Sequence, residues 1–476
     1  MVPLPAWSAL LMATAAANVA PPRTIGNAVI AYVRNSTFEP LVVLEHNLSS
    51  DAAYGVMTHY WSTGEIVNWD TVVDYYVDSE ETPSISLMED MACGQGFPKA
   101  KYGTFNGAGA AWKGEMPPGV SGTFAAGEKM GKSGQVGGYY HYHKVLFQKS
   151  IKVTARSLTK GLQVVYMVVR GHEVAKGSPA SVGLSLPSGF VVPPNARLQL
   201  QRIDNVTYQP LEFVPLVTLP KGYGGLLYLT AFAIQTIPAG NNYIEGCWHL
   251  FTRAESKWPG IVMGTGVEDY FDSAYWFCAL GGQGACLFAH PTSGLLHFSR
   301  TAFNGSDVID LGRPSGTNRS TWPLQGATVE RLSAYRFFDQ EVVGFSDGGA
   351  LHWRNGDVGS KCGGCPPGTP NCAPTSEPVS PTAVRTYAWV YTWPLDPQAH
   401  GPAPNAPAIA CPNASVCGGG PDQQARLRNP ANHHPTAGEE GQEENRETPP
   451  LLRRGLLPES ASLSEEEGLG SRHWDW

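Results

Sequence analysis

Between about residue 25 and residue 394 the chain is written in short apolar or alternating runs, broken every few residues by glycine and proline. The runs are AVIAYV (28–33), SIKVTAR (150–156), LQVVYMVV (162–169), RLQLQRI (197–203), LLYLTAFAI (226–234) and TYAWVYTW (386–393). Successive side chains of a strand point to opposite faces, so a period near two with β-branched and aromatic enrichment predicts strands. No long stretch repeats its apolar positions every 3.6 residues. The expected fold class is all-β, a sandwich or jelly roll.

The pattern echoes itself. YYVDSEETPSI (75–85) and LFTRAESKWPGI (250–261) each run from apolar residues through a polar turn with a glutamate (Glu80, Glu255) to a proline (Pro83, Pro259) and an isoleucine. YYHYHKVLFQKSIKV (139–153) and YRFFDQEVVGFSDGGALHW (335–353) form a second pair, and one more strand follows each. Self-similarity at a long offset signals a repeated unit. Two related β-sandwich domains are expected, 23–175 and 176–394, with a cysteine-rich insertion at about 358–384.

Composition agrees with this and bounds the function. The 476 residues include 54 Gly and 39 Pro, and only 16% are charged. Residues 395–476 hold 12 acidic and 6 basic side chains, so about −6 of the net charge of −8 lies there. That tail is rich in Pro, Gly and Glu and is expected to be disordered. The nearly neutral body offers no basic footprint for nucleic acid. No apolar run reaches the roughly 18 residues of a spanning helix, so no membrane span is expected.

Residues 1–22 resemble a signal peptide, an apolar stretch leading into small residues. Together with sequons at Asn35, Asn47, Asn205, Asn304, Asn318 and Asn413, this leads to the expectation of a secreted glycoprotein. Cys362, Cys365 and Cys372 cluster, with Cys411 and Cys417 beyond. A single Cys-x-x-Cys without a matching pair favours disulfides over zinc. The nine cysteines leave at least one thiol unpaired within the chain.

The densest candidate chemistry is NYIEGCWHLFTRAESKWPGIVMGTGVEDYFDSAYWF (242–277). Glu245 lies in an apolar, strand-like run, and Glu268 follows the Gly-rich step Gly264-Thr265-Gly266. Their separation suits two neighbouring strands joined by a loop around Ser256–Pro259. Strands lie about 4.8 Å apart, so two carboxylates on one face could reach the roughly 5–5.5 Å of a retaining glycosidase pair. Tyr243, Trp248, Tyr270, Tyr275 and Trp276 could stack on sugar faces or desolvate a carboxyl, which raises its pKa. The bland alternative is that the acids cap turns and Gly-Thr-Gly is a bulge.

At these residues the chain resembles glycoside hydrolase family 172, earlier known as domain of unknown function 2961. GTGVEDYFDSAYWF is similar to its Gly-Thr-Gly-x-Glu-Asp-Tyr-Phe segment, and YIEG around Glu245 to its Leu-Glu-Gly strand. YYVDSEETPSISL (75–87) resembles a Tyr-x-Asp-Gly-Glu-x-x-Pro-Ser segment, and SAYRFFDQEVVGF (333–345) a Tyr-Arg-x-His strand. The resemblance covers roughly residues 55–394. It implies two jelly-roll domains, homo-oligomers of three or six chains, and retaining hydrolysis of fructofuranosides or arabinofuranosides in an oligosaccharide or polysaccharide. It also implies Glu245 as nucleophile and Glu268 as general acid/base. Trp248, Asp269, Tyr270 and His297 are the candidate substrate contacts, and no metal or cofactor is expected.

The chain departs from that pattern in places. Ser79 stands where the family often has glycine, Cys247-Trp248-His249 follow the Glu-Gly pair, and Phe338 is the nearest counterpart of the strand histidine. No carboxylate follows Phe277 in CALGGQGACLFAHPTSGLLHF, so His290 or His297 would have to replace a third acid.

Two rival readings remain. His141-Tyr142-His143 places two imidazoles on one strand face, and His172 and Glu173 could complete a cupin-like metal set; a local role at the rim is the simpler expectation. The other is a non-catalytic carbohydrate-binding or assembling jelly-roll protein.

Overall fold

The computed structural model describes residues 21–33, 39–64, 71–94, 129–132, 138–157, 163–236, 241–274, 277, 287–302, 328–356, 362–367, 369, 372, 380–396, 398 and 409–410. The described residues of all six predicted runs lie in strands, Leu162 alone falling outside the described residues. The first half contains β1 (Arg23–Val33), β2 (Leu41–Asn47), β3 (Ala52–Gly64), β4 (Thr71–Val77), β5 (Ile85–Met88), helix α1 (Glu89–Ala92), β6 (Met130–Lys132), β7 (Tyr139–His141), β8 (Val145–Phe147), β9 (Ser150–Ser157) and β10 (Gln163–Ala175). The short hairpin β11 (Leu184–Ser185) and β12 (Val191–Val192) follows.

The second half contains β13 (Arg197–Tyr208), β14 (Phe213–Leu219), β15 (Tyr223–Thr236), β16 (Trp248–Phe251), β17 (Ile261–Gly264) and helix α2 (Val267–Tyr270). It continues through β18 (Phe288–Ala289), β19 (Ser293–Ala302), β20 (Thr328–Phe337), β21 (Gly344–Phe345), β22 (Gly349–Arg354), β23 (Thr382–Pro394) and β24 (Ile409–Ala410). The protein is therefore all-β.

The sheet orders repeat. The larger sheet of the first half runs β1-β10-β3-β7-β6, with β8 also on β3. Its counterpart contains β13-β23-β15-β20, with β21 also on β15. The smaller sheets run β2-β9-β4-β5 and β14-β22-β16-β17. The echoed segments thus occupy equivalent strands, and the equivalence extends one step further. Edge strand β5 leads into α1 beginning Glu89-Asp90, and edge strand β17 leads into α2 containing Glu268-Asp269.

The larger sheet of the second half is buried on both faces. Along β23, Ala383, Tyr387, Trp389 and Tyr391 join the apolar cluster shared with the first half, while Val384, Ala388 and Val390 join the cluster beneath the smaller sheet. Strand β15 alternates likewise, with a bulge between Leu227 and Leu229 that keeps Tyr228 and Leu229 on the same side. This double burial is why LLYLTAFAI reads as nearly continuous apolar sequence.

Polar contacts join the first half to that sheet. Met88 N donates to Tyr387 Oη (2.9 Å), Ser333 Oγ to Gly94 O (2.8 Å) and Tyr391 Oη to Lys144 O (2.8 Å). A further clamp is built from the Asp78-Ser79-Glu80 segment. Arg197 of β13 pairs with Asp78 at 2.9 Å and with Glu80, and the remaining carboxylate oxygens accept amides from Gln148, Lys149, Val77 and Ser84. Asp78 and Ser79 adopt φ of 56° and 66°, the left-handed region that glycine enters most readily.

Two expectations need correction. His141 and His143 are not at a rim: both are buried, with rings stacked 4.3 Å apart and His143 lying 4.5 Å from Trp389. Glu173 is engaged elsewhere by His46, Ser49 and Arg23, so the cupin-like set does not assemble. The chain after 394 is also not wholly outside the fold, because the apolar residues Ile409–Ala410 pair in parallel with Ile203 and Asp204. Residues 411–476 lie outside the described residues, as do the first twenty and most of the cysteine-rich segment. Among the described residues no helix is long and apolar enough to cross a membrane.

Candidate active site

Strands β16 and β17 form an antiparallel hairpin, Trp248 opposite Gly264 and Leu250 opposite Ile261, closed by the loop that holds Ser256 and Pro259. At its open end Val267 N donates to Ile244 O at 2.5 Å. The residue that follows each partner of this bond is a glutamate, and because the two segments run antiparallel, Glu245 and Glu268 lie on opposite sides of it. Both side chains are half-buried.

Glu245 is not in a strand, as its apolar neighbours suggested. It sits in a turn after the single 3-10 turn Asn241–Tyr243, with its N–H on Asn242 O and Gly246 N–H on Tyr243 O. The turn is forced by packing: a Cβ on Gly246 would lie 1.9 Å from Arg354 O, so only glycine allows the close approach. Arg354 N–H in turn binds Cys247 O at 3.1 Å. Cys247 is disulfide-bonded to Cys362, and Cys365 to Cys372. The cysteine-rich insertion is thus tied to the residue two positions after Glu245, a partner the clustering of Cys362–Cys372 alone could not reveal. Cys93 is a buried thiol outside any disulfide.

Glu268 lies in α2, whose entry is fixed by Asp269. The Asp269 carboxylate accepts Thr265 N (2.6 Å), Thr265 Oγ1 (2.9 Å) and Gly266 N (2.7 Å). Asp269 therefore organises the Gly-Thr-Gly bend, the capping role weighed as an alternative for such acids. A Cβ on Gly266 would fall 2.8 Å from both Ile244 O and Glu268 Oε2, so the glycine leaves room for the carboxylate.

The predicted aromatic contacts are core residues. Trp248 and Tyr270 are wholly buried and stacked at 3.5 Å with an interplanar angle of 3°. Burial pushes the Tyr270 hydroxyl pKa up. Tyr275 and Trp276 lie outside the described residues.

His297 is not brought to this site. It pairs with Ser333, whose hydroxyl points to Gly94 of the first half, whereas flanking Leu332 and Ala334 belong to the opposite face. Wholly buried there, its imidazole pKa is pushed down to about 3 by desolvation. His290 is exposed at the turn before β19.

Arg336 of β20 is the arginine of the Tyr-Arg segment noted in the sequence, which gave it no role. It binds Tyr270 O and pairs with Asp272 (3.0 Å) and Glu341 (3.0 Å). Its guanidinium lies 5.6 Å from the Tyr270 ring centre and 5.3 Å from that of Phe338. Asp272 is held in the left-handed region at φ 59°, four residues after Glu268. Arg336 so braces the segment that carries the second glutamate, and Phe338 fills the space beside it. Among the described residues no cluster of three or more His, Cys, Asp or Glu could hold a metal ion. No family model matches the chain, and no curated protein matches it.

Proposed function

We propose that the protein is a secreted glycoside hydrolase of two jelly-roll domains that cleaves furanosidic sugars, fructofuranosides or arabinofuranosides, with retention, and that it works as a homo-oligomer. The observation that supports this reading is that Glu245 and Glu268 both flank the Ile244–Val267 backbone bond at the open end of one hairpin. The resemblance of the segments around both residues to glycoside hydrolase family 172 supports it.

In this mechanism Glu245 attacks the anomeric carbon as Glu268 protonates the departing glycosidic oxygen, giving a glycosyl-enzyme ester through an oxocarbenium-like transition state. Glu268, now ionised, takes a proton from water, whose oxygen attacks the same carbon and releases Glu245.

The test is hydrolysis of nitrophenyl α- and β-furanosides by the full chain and by Glu245→Gln and Glu268→Gln. Each substitution should lower turnover by orders of magnitude with unchanged melting. Full activity in either variant sinks the assignment. Burial of Trp248 and Tyr270, which removes two expected stacking surfaces, favours a second reading as a non-catalytic carbohydrate-binding or assembling module. Binding of an oligosaccharide without any turnover would select it.

A further inference from the structure

The cysteine-rich segment is fastened to the turn that carries Glu245 through four consecutive residues. Cys362 is disulfide-bonded to Cys247, two positions after Glu245. Gly363 O accepts Trp258 Nε1 at 2.9 Å, and Arg354 Nη1 donates to Gly364 O at 2.9 Å and to Cys365 O at 3.3 Å. Arg354 works from both ends. Its N–H binds Cys247 O at 3.1 Å and its carbonyl presses on Gly246, while its side chain holds the segment. The turn of Glu245 and residues 362–365 therefore move as one mechanical unit.

The second disulfide adjoins the first. Cys365 is paired with Cys372, seven positions on, and only Gly363 and Gly364 separate it from Cys362. The chain turns through 362–363 and bends through 364–365. A four-residue reversal brings its ends within about 7 Å, the reach of a disulfide, and neither glycine has a side chain to obstruct closure. Cys365 sits at φ 51°, a left-handed conformation that L-residues other than Asn and Asp seldom adopt. Cys362, Cys365 and Cys372 are half-buried, whereas Cys247 is 2% exposed. Both residues of the Cys365–Cys372 bond thus meet solvent, while one residue of the other bond is closed off.

We propose that the two disulfides form a thiol–disulfide exchange site that takes a dithiol as reactant, releases Cys247 and so switches off the site at Glu245. What is switched rests on the hydrolase reading; the exchange itself does not. A thiolate of the dithiol attacks Cys372 Sγ, the Cys365–Cys372 bond breaks and Cys365 leaves as a thiolate. The second thiol of the reagent loses its proton, closes the reagent's own disulfide and expels Cys372, which is protonated. The Cys365 thiolate then attacks Cys362 Sγ. A Cys362–Cys365 bond forms, the Cys247–Cys362 bond breaks, and Cys247 leaves with the electron pair and takes up a proton. The sum is one oxidised dithiol, one protein disulfide and two new thiols. Closure of Cys365 on Cys362 draws the Gly364 and Cys365 carbonyls off Arg354, so the turn loses its tether and its brace together. Cys247 is a positioning residue for Glu245. The chain is then inactive where thiols are kept reduced and active where disulfides persist.

The test treats the full chain with dithiothreitol without denaturant, traps thiols with iodoacetamide and maps them by mass spectrometry. Cys372 and Cys247 should be alkylated, and a Cys362–Cys365 peptide should appear, before any change in the far-UV spectrum. Over the same period kcat should fall roughly 10- to 100-fold with KM unchanged. Oxidised glutathione should then restore both the Cys247–Cys362 bond and the turnover. Cys365→Ser combined with Cys372→Ser removes the relay, and should keep Cys247 unlabelled and turnover intact under the same treatment. Cys247→Ser should lower kcat by the same factor and respond no further to dithiothreitol. Release of Cys247 at the wild-type rate in the double variant, or no labelling of Cys247 before unfolding, would overturn the exchange. Labelling as expected with undiminished turnover would overturn the switch. A chain without turnover before treatment instead sinks the hydrolase reading, and the labelling still decides the exchange.

Discussion

Ile244 O accepts the Val267 amide at 2.5 Å, and this one bond joins the backbones just ahead of two glutamates that are 23 positions apart in sequence. Gly266 stands against both partners of the arrangement, the Ile244 carbonyl and the Glu268 carboxylate. Adding a methyl group there must displace one of them. Gly266→Ala is expected to destabilise the fold by about 1–3 kcal/mol and to lower turnover beyond what that loss explains. Denaturant unfolding alongside initial rates on nitrophenyl furanosides would check it; a variant with normal rates would show that the juxtaposition is unimportant to activity.

Ser79 provides a gain rather than a loss. Its φ of 66° costs an L-residue about 1 kcal/mol that glycine avoids. Ser79→Gly should therefore raise stability by up to about 1 kcal/mol, less the extra entropy of a glycine in the unfolded chain. Ser79→Val should lower it. Paired urea midpoints decide between this and a tolerant turn, in which all three proteins would unfold together.

Arg197 holds Asp78 and Glu80 across the halves, all three side chains being mostly buried. Removing the cation leaves two carboxylates with reduced compensation, so Arg197→Ala should cost about 3 kcal/mol. Replacing Asp78 and Glu80 together with Asn and Gln in the same variant should recover part of the loss. An unchanged midpoint for Arg197→Ala would mean that the clamp contributes nothing.

Acid should unfold the protein partly through His143. Its imidazole is packed between His141 and Trp389, and burial depresses its pKa from 6.5 to about 3. The native state keeps the ring neutral while the unfolded chain binds a proton below pH 6.5. Stability is thus complete above pH 6.5 and falls as pH drops from there towards about 3, at up to about 1.4 kcal/mol per pH unit. His143→Gln should flatten that slope by up to one proton. Identical slopes for variant and wild type between pH 4 and 6.5 would refute this role.

Strand positions were legible because alternation is a local property: β10, β13, β15 and β23 each follow from seven to nine residues of pattern. The repeat was legible because equivalent strands need similar turns. What pattern could not supply was contact between distant segments. Glu245 looked like a strand residue until Arg354 was found pressing on Gly246. Trp248 and Tyr270 looked like a sugar platform, yet facing Phe232, Phe271 and Trp353 they are core. His297 lies on the far face because a bulge between Leu295 and His297 shifts the β19 register, an irregularity that composition does not mark. The pairing of Cys247 with Cys362 spans 115 residues and had no local signal.

The doubly buried sheet also governs how this chain must come off the ribosome. Its middle strand, β23, pairs with β13 on one side and β15 on the other, yet is nearly the last part of the body to be made. Until it arrives, β13 and β15 have an unfilled gap between them, and Tyr228, Phe337 and the β5–α1 edge wait without their cover. Long-range strand pairing of this kind is slow and leaves open edges exposed to neighbouring chains. A nascent chain stalled before residue 382 would present such edges on every polysome. Synthesis at low temperature or with holding chaperones should therefore raise the yield of folded protein far more than any single stabilising substitution.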